Sequence, residues 1–206
     1  MKNIITIQHT QSVHHVNGMI GGQGDWNLSE LGFEQANRIG ENIAKEIDGS
    51  KYIMYSSDLL RAKQTAENVG KHLGIEPILT AALREISCGA ANGVSKEESR
   101  KIFQGPMKTI DDKSYPDAES MRDVWNRLFE FLREIMTRKE ENIIIVAHGI
   151  SLGIFNMLWL GLDVDVLNKC GMWGTSGGIT FMREEASEFG AKRVISRFND
   201  QSYSRK

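Results

Sequence analysis

The chain has 206 residues, of which 40% are apolar and 25% are charged, and its formal net charge is -2. These values predict one folded domain over residues 1–206 and exclude a long disordered or low-complexity protein. The charge offers no basic patch for nucleic acid or for an anionic membrane. Cys88 and Cys170 are too few for a disulfide framework and lack zinc-ligand spacing. Since no secretion signal or apolar stretch of about 18 residues is found, we expect a cytoplasmic protein that does not span a membrane.

The chain opens with a predicted strand and a long loop. Residues 3–8 (NIITIQ) form a short apolar run that is typical of a buried strand. Residues 9–27 contain several glycines and no sustained period, and loops of that length within a compact domain are usually functional. Ser29 is the candidate N-cap of the first helix. Apolar residues at helical spacing follow it, at Leu31, Ala36, Ile39, Ile43 and Ile47.

Strands and helices alternate in the rest of the chain. A strand is predicted at 52–55, followed by a helix that is capped by Ser57 or Asp58 and ends at Gly74. Residues 76–94 are predicted to contain a short strand and a loop. The remaining predicted helices lie at 95–104, 119–138 and 151–160, and the remaining strands at 142–147, 178–183 and 193–198. This order predicts a three-layer α/β/α sandwich, with a mostly parallel central sheet, helices on both faces and an antiparallel edge strand.

Two histidines follow directly after predicted buried strands. His9 comes after NIITIQ, and His148 comes after NIIIVA. Ligands of open parallel sheets bind just beyond the carboxyl ends of the strands. Either histidine alone could equally be bonded to nearby backbone groups, but two at the same edge favour a site. Arg61, in the first turn of a predicted helix, adds a cation whose planar fork suits phosphate, unless it is a solvated surface arginine.

Five short motifs follow one another along the chain. The first is Gln8-His9-Thr10-Gln11-Ser12, followed by Gly22, Asp25 and LSELG at 28–32. The others are SDLLRAKQTA at 57–66, LRE at 83–85 with Gly89 and Gly93, AES at 118–120 and AHG at 147–149. Together they resemble the motifs of the histidine phosphatase superfamily, the cofactor-dependent phosphoglycerate mutase-like proteins. They occur in that family's order over residues 4–181, which is nearly the whole chain.

The resemblance implies a role for each matching residue. His9 would attack phosphorus and become phosphohistidine, and Arg61 and His148 would hold the phosphoryl oxygens. Glu85 would protonate the leaving oxygen and then activate water, although on the residues alone it could be a surface carboxylate paired with Arg84. No metal and no organic cofactor is implied. The implied phosphate- or substrate-binding residues are Gln8, Ser12, His15, Gly22, Arg61, His148 and Gly149.

Gln8 departs from the family pattern, which has an arginine before the nucleophile. A neutral amide cannot clamp phosphate bidentately, and losing one charged donor costs on the order of 10²- to 10³-fold in rate. We expect His14 or His15, as imidazolium below about pH 6.5, to restore the missing charge. A transition-metal site made of these two rings with His9 and His148 is a minor alternative.

The resemblance leaves three functions open. The compact length favours a phosphatase for a small phosphorylated metabolite. One alternative is a phosphoglycerate mutase. The other is a phospho-ligand sensor or scaffold whose turnover is impaired because of Gln8. The expected partner is a small phosphorylated substrate rather than nucleic acid or membrane, and the oligomeric state, including a homodimer, stays open. Trp173, in a glycine-rich stretch, is expected to approach the pocket.

Overall fold

The computed structural model describes residues 1–47 and 49–205. In these ranges, six strands form one sheet in the order β3-β2-β4-β1-β5-β6. The strands are β1 (Asn3–Gln8), β2 (Ile53–Ser57), β3 (Ile78–Thr80), β4 (Asn142–Ala147), β5 (Ile179–Ser187) and β6 (Gly190–Asp200). Strands β1 to β4 pair in parallel, whereas β5 and β6 are antiparallel. The predicted antiparallel edge is confirmed and consists of a two-stranded hairpin.

The helices pack on both faces of this sheet. They are α1 (Val13–Asn17), α2 (Glu30–Glu46), α3 (Leu60–Leu73), α4 (Lys96–Lys101), α5 (Met121–Thr137) and α6 (Gly149–Trp159). Along β4, Ile143 and Ile145 face a core cluster built with α5 and α6, while Ile144 and Val146 face a second cluster built with α2 and α3. Alternate side chains of a strand point to opposite faces, so an unbroken apolar strand needs both layers. The predicted three-layer architecture is confirmed.

The predicted ends of the second and third helices are partly confirmed. Ser29 caps α2, because its Oγ accepts a hydrogen bond from the Gly32 N–H at 3.1 Å. Helix α3 ends at Gly74, which has a left-handed φ of 65°. Of the apolar residues at helical spacing, Ala36, Ile39 and Ile43 are buried, whereas Leu31 is 44% exposed.

The predicted cap of α3 is wrong. The helix begins after Leu59, and the cap of its free Leu60 N–H is Asp25 Oδ1, at 2.8 Å. Asp58 instead forms an ion pair with Arg84. The cap therefore comes from the long loop after β1, a contact between residues 35 positions apart. The same loop contains the short helix α1, whose five residues are too few to show a period. No helix in the described part of the chain is long and apolar enough to cross a membrane.

Candidate active site

A cavity of about 340 Å³ lies where β1, β2 and β4 end. Its lining consists of Gln8, His9, His14, His15, Ile20, Gly21, Gly22, Arg61, Glu85, Ile86, Cys88, Gly149, Ile150 and Trp173. A larger cavity, of about 830 Å³, lies at the opposite ends of the strands, where β2 and β4 begin, and none of the predicted site residues lines it. The parallel strands thus bring distant parts of the sequence together at their carboxyl ends, as predicted.

His9 is held in one orientation at the end of β1. Its imidazole is almost completely buried, and Nδ1 donates a hydrogen bond to the Thr10 carbonyl at 2.8 Å. The Nε2 lone pair faces the Arg61 Nε–H at 3.2 Å. Burial, and then the positive charge of Arg61, lowers the pKa of His9 well below its ordinary value. The ring is therefore neutral at physiological pH, with its nucleophilic lone pair on Nε2.

Arg61 is buried beside His9 and is fixed by backbone carbonyls. Its Nη1 donates to the Gly24 carbonyl at 2.8 Å and its Nη2 to the Gly22 carbonyl at 2.7 Å. Burial lowers the pKa of Arg61 to about 10, which still leaves the guanidinium charged at neutral pH. Three of its five N–H groups are used by His9 and the two carbonyls, so two are left for an oxyanion.

Glu85 lies at the N-terminus of α6. Its carboxylate accepts hydrogen bonds from the Ile150 and Ser151 N–H groups, each at 3.2 Å. The peptide dipoles at this helix end favour a negative charge. The alternative pairing with Arg84 is excluded, because the Arg84 guanidinium forms two hydrogen bonds, of 2.7 and 2.6 Å, with Asp58. Glu85 therefore faces the cavity rather than the neighbouring arginine.

A half-buried ion pair supports the segment that holds Glu85. Arg127 contacts Glu119 with Nε to Oε1 at 2.9 Å, and its Nη2 donates to the Glu85 carbonyl at 3.2 Å. The other Glu119 oxygen accepts from the Ser87 N–H at 2.8 Å. Sequence reasoning assigned Glu119 to a motif without finding this supporting role. Glu119 lies just before α5 and Arg127 lies within it, so their contact depends on how the chain enters the helix.

His148 is fully buried and follows β4. Its Nε2 lies 2.8 Å from the Ser57 Oγ, and its ring centroid is 5.1 Å from that of His9. Burial lowers the pKa of His148 well below its ordinary value, and Arg61 adds to this. Within the described residues its Nδ1 has no hydrogen-bond partner. If the Ser57 hydroxyl donates to Nε2, Nδ1 carries the proton and is left to donate to a ligand.

Gln8 stands between two glycines at the edge of the cavity. A Cβ atom at Gly149 would lie 3.3 Å from Gln8 Nε2, and a Cβ atom at Gly174 would lie 3.1 Å from Gln8 Oε1. Oε1 is buried and has no hydrogen-bond partner among the described residues. The amide therefore enters the site with hydrogen-bonding capacity unused but without a charge.

His14 and His15 lie on α1 beside His9. The His14 Nδ1 contacts the buried Ser12 Oγ at 2.9 Å, and the Ser12 N–H donates to His15 Nδ1 at 3.2 Å. Ser12 therefore lies behind the cavity lining and supports the two rings. Burial, followed by His15 and Arg61, lowers the pKa of His14 to about 3, and burial and Arg61 lower the pKa of His15. The expectation that either ring becomes cationic just below about pH 6.5 is therefore wrong.

This lowered pKa predicts that acid destabilises the protein. The unfolded chain protonates His14 near pH 6.5 and the folded chain only near pH 3, so the unfolded state binds more protons between these values. The free energy of unfolding should therefore fall as the pH falls through this window. Urea titrations from neutral pH to about pH 4 should show a shallower pH dependence for His14→Asn than for the wild type. Equal slopes would contradict the assignment.

The crowded imidazoles do not form a metal site. The ring centroids of His14 and His15 are 4.0 Å apart, and that of His15 is 5.5 Å from His9. Even so, no group of three or more His, Cys, Asp or Glu residues in the ranges 1–47 and 49–205 has an arrangement that could hold a metal ion. The alternative of a transition-metal centre is therefore not supported.

Most predicted site residues line the cavity, and the expectation for Trp173 is confirmed. Ser12 and His148 are fully buried and are not part of the lining, although the His148 ring lies 5.1 Å from that of His9. Sequence reasoning missed the apolar part of the lining, which consists of Ile20, Ile86 and Ile150. A signal for two of them was present, since Ile86 follows Glu85 and Ile150 follows Gly149. Cys88 also lines the cavity, which the sequence analysis did not predict, and burial raises its pKa to about 11, which keeps the thiol protonated.

The sequence also matches known proteins over most of its length. The family model for the histidine phosphatase superfamily (branch 1) matches residues 4–196. A relative from Hydrogenobacter thermophilus, which has the provisional name phosphoserine phosphatase 2, is 30% identical over 193 residues, covering 91% of this chain and 92% of the relative. A 2,3-bisphosphoglycerate-dependent phosphoglycerate mutase of Chelativorans sp. is 32% identical over 176 residues, covering 81% and 85% of the two chains.

Solved structures share the fold over their whole length. Bacillus stearothermophilus YhfR has a TM-score of 0.82 and 23% identity, with 100% of both chains covered. A mycobacterial glucosyl-3-phosphoglycerate phosphatase, solved with VO3, has a TM-score of 0.81 and 23% identity, with 97% of this chain and 99% of that chain covered. From the family match and the curated relatives, the chain belongs to branch 1 of the histidine phosphatase superfamily, whose members compared above are phosphatases and a mutase.

Proposed function

We propose that the protein is a phosphatase that hydrolyses a small phosphorylated metabolite through a phosphohistidine at His9. The observation that supports this most directly is the orientation of the buried His9 ring. Its Nδ1–H is fixed on the Thr10 carbonyl, so the Nε2 lone pair faces the cavity beside the Arg61 guanidinium. A neutral nucleophile beside a fixed cation is the arrangement that attack on a phosphate ester requires.

In the first step, His9 Nε2 attacks phosphorus and the bond to the leaving oxygen breaks. Glu85, in its protonated form, gives its proton to that oxygen, and the alcohol leaves. The two unused N–H groups of Arg61 and the Nδ1–H of His148 donate to the phosphoryl oxygens, on which negative charge is spread in a loose transition state. The product of this step is a phosphoryl group on Nε2.

In the second step, the same carboxylate acts as a base. Glu85 takes a proton from a water molecule, the water oxygen attacks phosphorus, and the bond between phosphorus and Nε2 breaks. Inorganic phosphate leaves, His9 is again neutral, and Glu85 is again protonated. Because one carboxyl group serves both steps, the site needs no second acid.

The charge of the cavity favours hydrolysis over a mutase reaction. Among the described residues that line the cavity, Arg61 is the only lysine or arginine. A mutase must hold a bisphosphorylated intermediate, whose second phosphate calls for further cations. The name of the Hydrogenobacter relative also points to a phosphatase. With 3-phosphoglycerate, we expect phosphate release and no isomerisation, and formation of 2-phosphoglycerate would favour the mutase.

The substrate is to be found by screening phosphorylated metabolites. Release of inorganic phosphate is the readout, and His9→Ala is the blank for contaminating activity. If the wild type and the blank release phosphate equally from every compound, the proposed function is wrong.

Gln8 favours a second candidate function, a phospho-ligand sensor. The amide brings no charge to a site in which Arg61 is the only lining cation that the described residues supply, so an anion can bind while transition-state stabilisation is weak. The two candidates differ in one intermediate. A sensor binds phosphate or vanadate without ever forming phosphohistidine at His9, whereas a phosphatase forms it with a hydrolysable substrate, as mass spectrometry of the quenched protein would show.

Gln8→Arg is expected to raise the rate of phosphate release by about 10- to 100-fold, because a guanidinium supplies the charged, bidentate donor that the amide lacks. The side chain at this position packs directly against Gly149 and Gly174, so the guanidinium of the variant would extend past them toward the cavity that Gln8 lines. The matched control is Gln8→Met, which keeps the length without a donor and should lower the rate. If both variants lose activity equally, Gln8 is already the better residue for this site.

A further inference from the structure

Trp173 is held at the rim of the cavity by two glycines. A Cβ atom at Gly153 would lie 2.2 Å from the Trp173 Cε3, and a Cβ atom at Gly171 would lie 2.2 Å from its Nε1. The indole therefore packs directly against α6 at Gly153 and against its own segment at Gly171. It is still 44% exposed, although it contributes to the lining of the cavity. A large aromatic ring that is both fixed and exposed is suited to contact a ligand.

The neighbours of Glu85 continue this apolar surface. The Ile86 N–H donates to Glu85 Oε1 at 2.9 Å and the Ile150 N–H donates to Oε2 at 3.2 Å. Both side chains are half-buried and pack against the core cluster of α5 and α6, so they are fixed in place. Since Glu85 must contact the leaving oxygen, the group attached to that oxygen lies near these two isoleucines. Gly153, on which the indole rests, is one turn of α6 beyond Ile150.

Within residues 1–47 and 49–205, the lining offers no charge for the leaving group. Arg61 is the only lysine or arginine that these residues contribute and Glu85 the only carboxylate, and the reaction uses both. His14 and His15 are kept neutral by their surroundings. Lys96 lies close enough to lower the pKa of both rings, but it is exposed and does not line the cavity. An anionic leaving group, such as a carboxylate-bearing alcohol, would find no partner there.

We propose that the natural substrate is a monophosphate ester of an uncharged alcohol with an apolar ring, which stacks on Trp173 and contacts Ile86 and Ile150. The proposal rests on the proposed phosphatase function and names its substrate class. Trp173 is then a specificity-determining residue, and Gly153 is a positioning residue that acts through the indole. Ring stacking on the indole explains why an aromatic side chain is kept exposed at this rim.

Benzyl phosphate and 3-phosphoglycerate test this selectivity, because both have a phosphate on an alkyl oxygen and differ mainly in the attached group. We expect kcat/KM for phosphate release to be at least about 10-fold higher for benzyl phosphate. Trp173→Ala should lower kcat/KM for benzyl phosphate by roughly 10-fold, mainly through KM, and change that for 3-phosphoglycerate by less than about twofold. Trp173→Phe should restore most of the loss.

Gly153→Ala tests the same contact without removing the indole. The added methyl group would occupy the space of the ring, so the indole must move away from α6. We expect the same selective loss for benzyl phosphate, with thermal unfolding measured in parallel to detect any general damage to α6. Phe189→Ala is the control, since this side chain is 88% exposed at the tip of the β5–β6 hairpin and does not line the cavity.

A binding measurement separates this proposal from the proposed function. Benzylphosphonate cannot be hydrolysed, and calorimetry should show about 10-fold weaker binding to Trp173→Ala than to the wild type. If no ester is hydrolysed but this difference is found, the phosphatase function fails and the apolar binding site stands. Equal binding to the two proteins, a preference for 3-phosphoglycerate, or an equal loss of activity on both esters overturns the proposal.

Discussion

His9→Ala is expected to lower the rate of phosphate release by about 10⁴-fold or more, because no other group can then form the covalent intermediate. His148 is not a substitute, since its ring is fully buried and is not among the residues that line the cavity. The measurement is steady-state phosphate release from the best substrate of the screen, together with a search for phosphohistidine in acid-sensitive, base-stable form. Both signals should disappear in the variant.

His72→Ala is the matched control for this experiment. His72 lies on α3, where its Nε2 hydrogen-bonds the exposed Asn37 side chain at 2.8 Å, and it does not line the cavity. Its replacement should leave the rate unchanged within about twofold. Retention of more than about 1% of the wild-type rate by His9→Ala would show that water is activated directly, without a phosphoenzyme.

Glu85→Gln is expected to lower the rate for alkyl phosphates by about 10²- to 10⁴-fold, because the amide can neither protonate the leaving oxygen nor activate water. The glutamine oxygen can still accept the Ser151 N–H bond that the carboxylate accepts at 3.2 Å, so the loop should keep its position. p-Nitrophenyl phosphate needs little protonation of its leaving oxygen. With this ester the first step should therefore survive, and phosphohistidine should accumulate.

Rapid-quench measurements with the two classes of ester test this directly. A burst of p-nitrophenol followed by slow turnover is the expected result for Glu85→Gln, and no burst is expected with an alkyl ester. Glu130→Gln is the control, because this carboxylate lies on α5 in an exposed ion pair with Arg133. An equal loss for both esters without any accumulated phosphoenzyme would contradict the role of Glu85 in both steps.

The sheet and the position of the site could be predicted because they depend on local patterns. The apolar run of β4 is unbroken and is followed directly by His148, so both the strand and the edge at which the site lies follow from the sequence. The order of motifs then identified Arg61 and Glu85. The binding roles of these residues stay predictions, although the structure brings both to the same cavity.

Other features depend on contacts between distant residues and could not be predicted. The cap of α3 comes from Asp25, and the Trp173 ring packs against Gly153, which lies 20 positions earlier in the chain. The neutrality of His14 arises from burial and from nearby cations, which a sequence pattern does not specify. Residue identity gives the unperturbed pKa, whereas the folded surroundings decide the charge.

The loop after β1 holds the two Nη groups of Arg61 through backbone carbonyls. The carbonyls of Gly22 and Gly24 accept the two Nη bonds, and these bonds do not depend on the side chains of neighbouring positions such as Ile20 and Gln23. Side chains here can therefore diverge between homologues, and change which alcohol is accepted, while the phosphate-binding cation stays in place. Because different groups hold the cation and contact the alcohol, point substitutions in this loop can change the substrate while the catalytic residues stay in place.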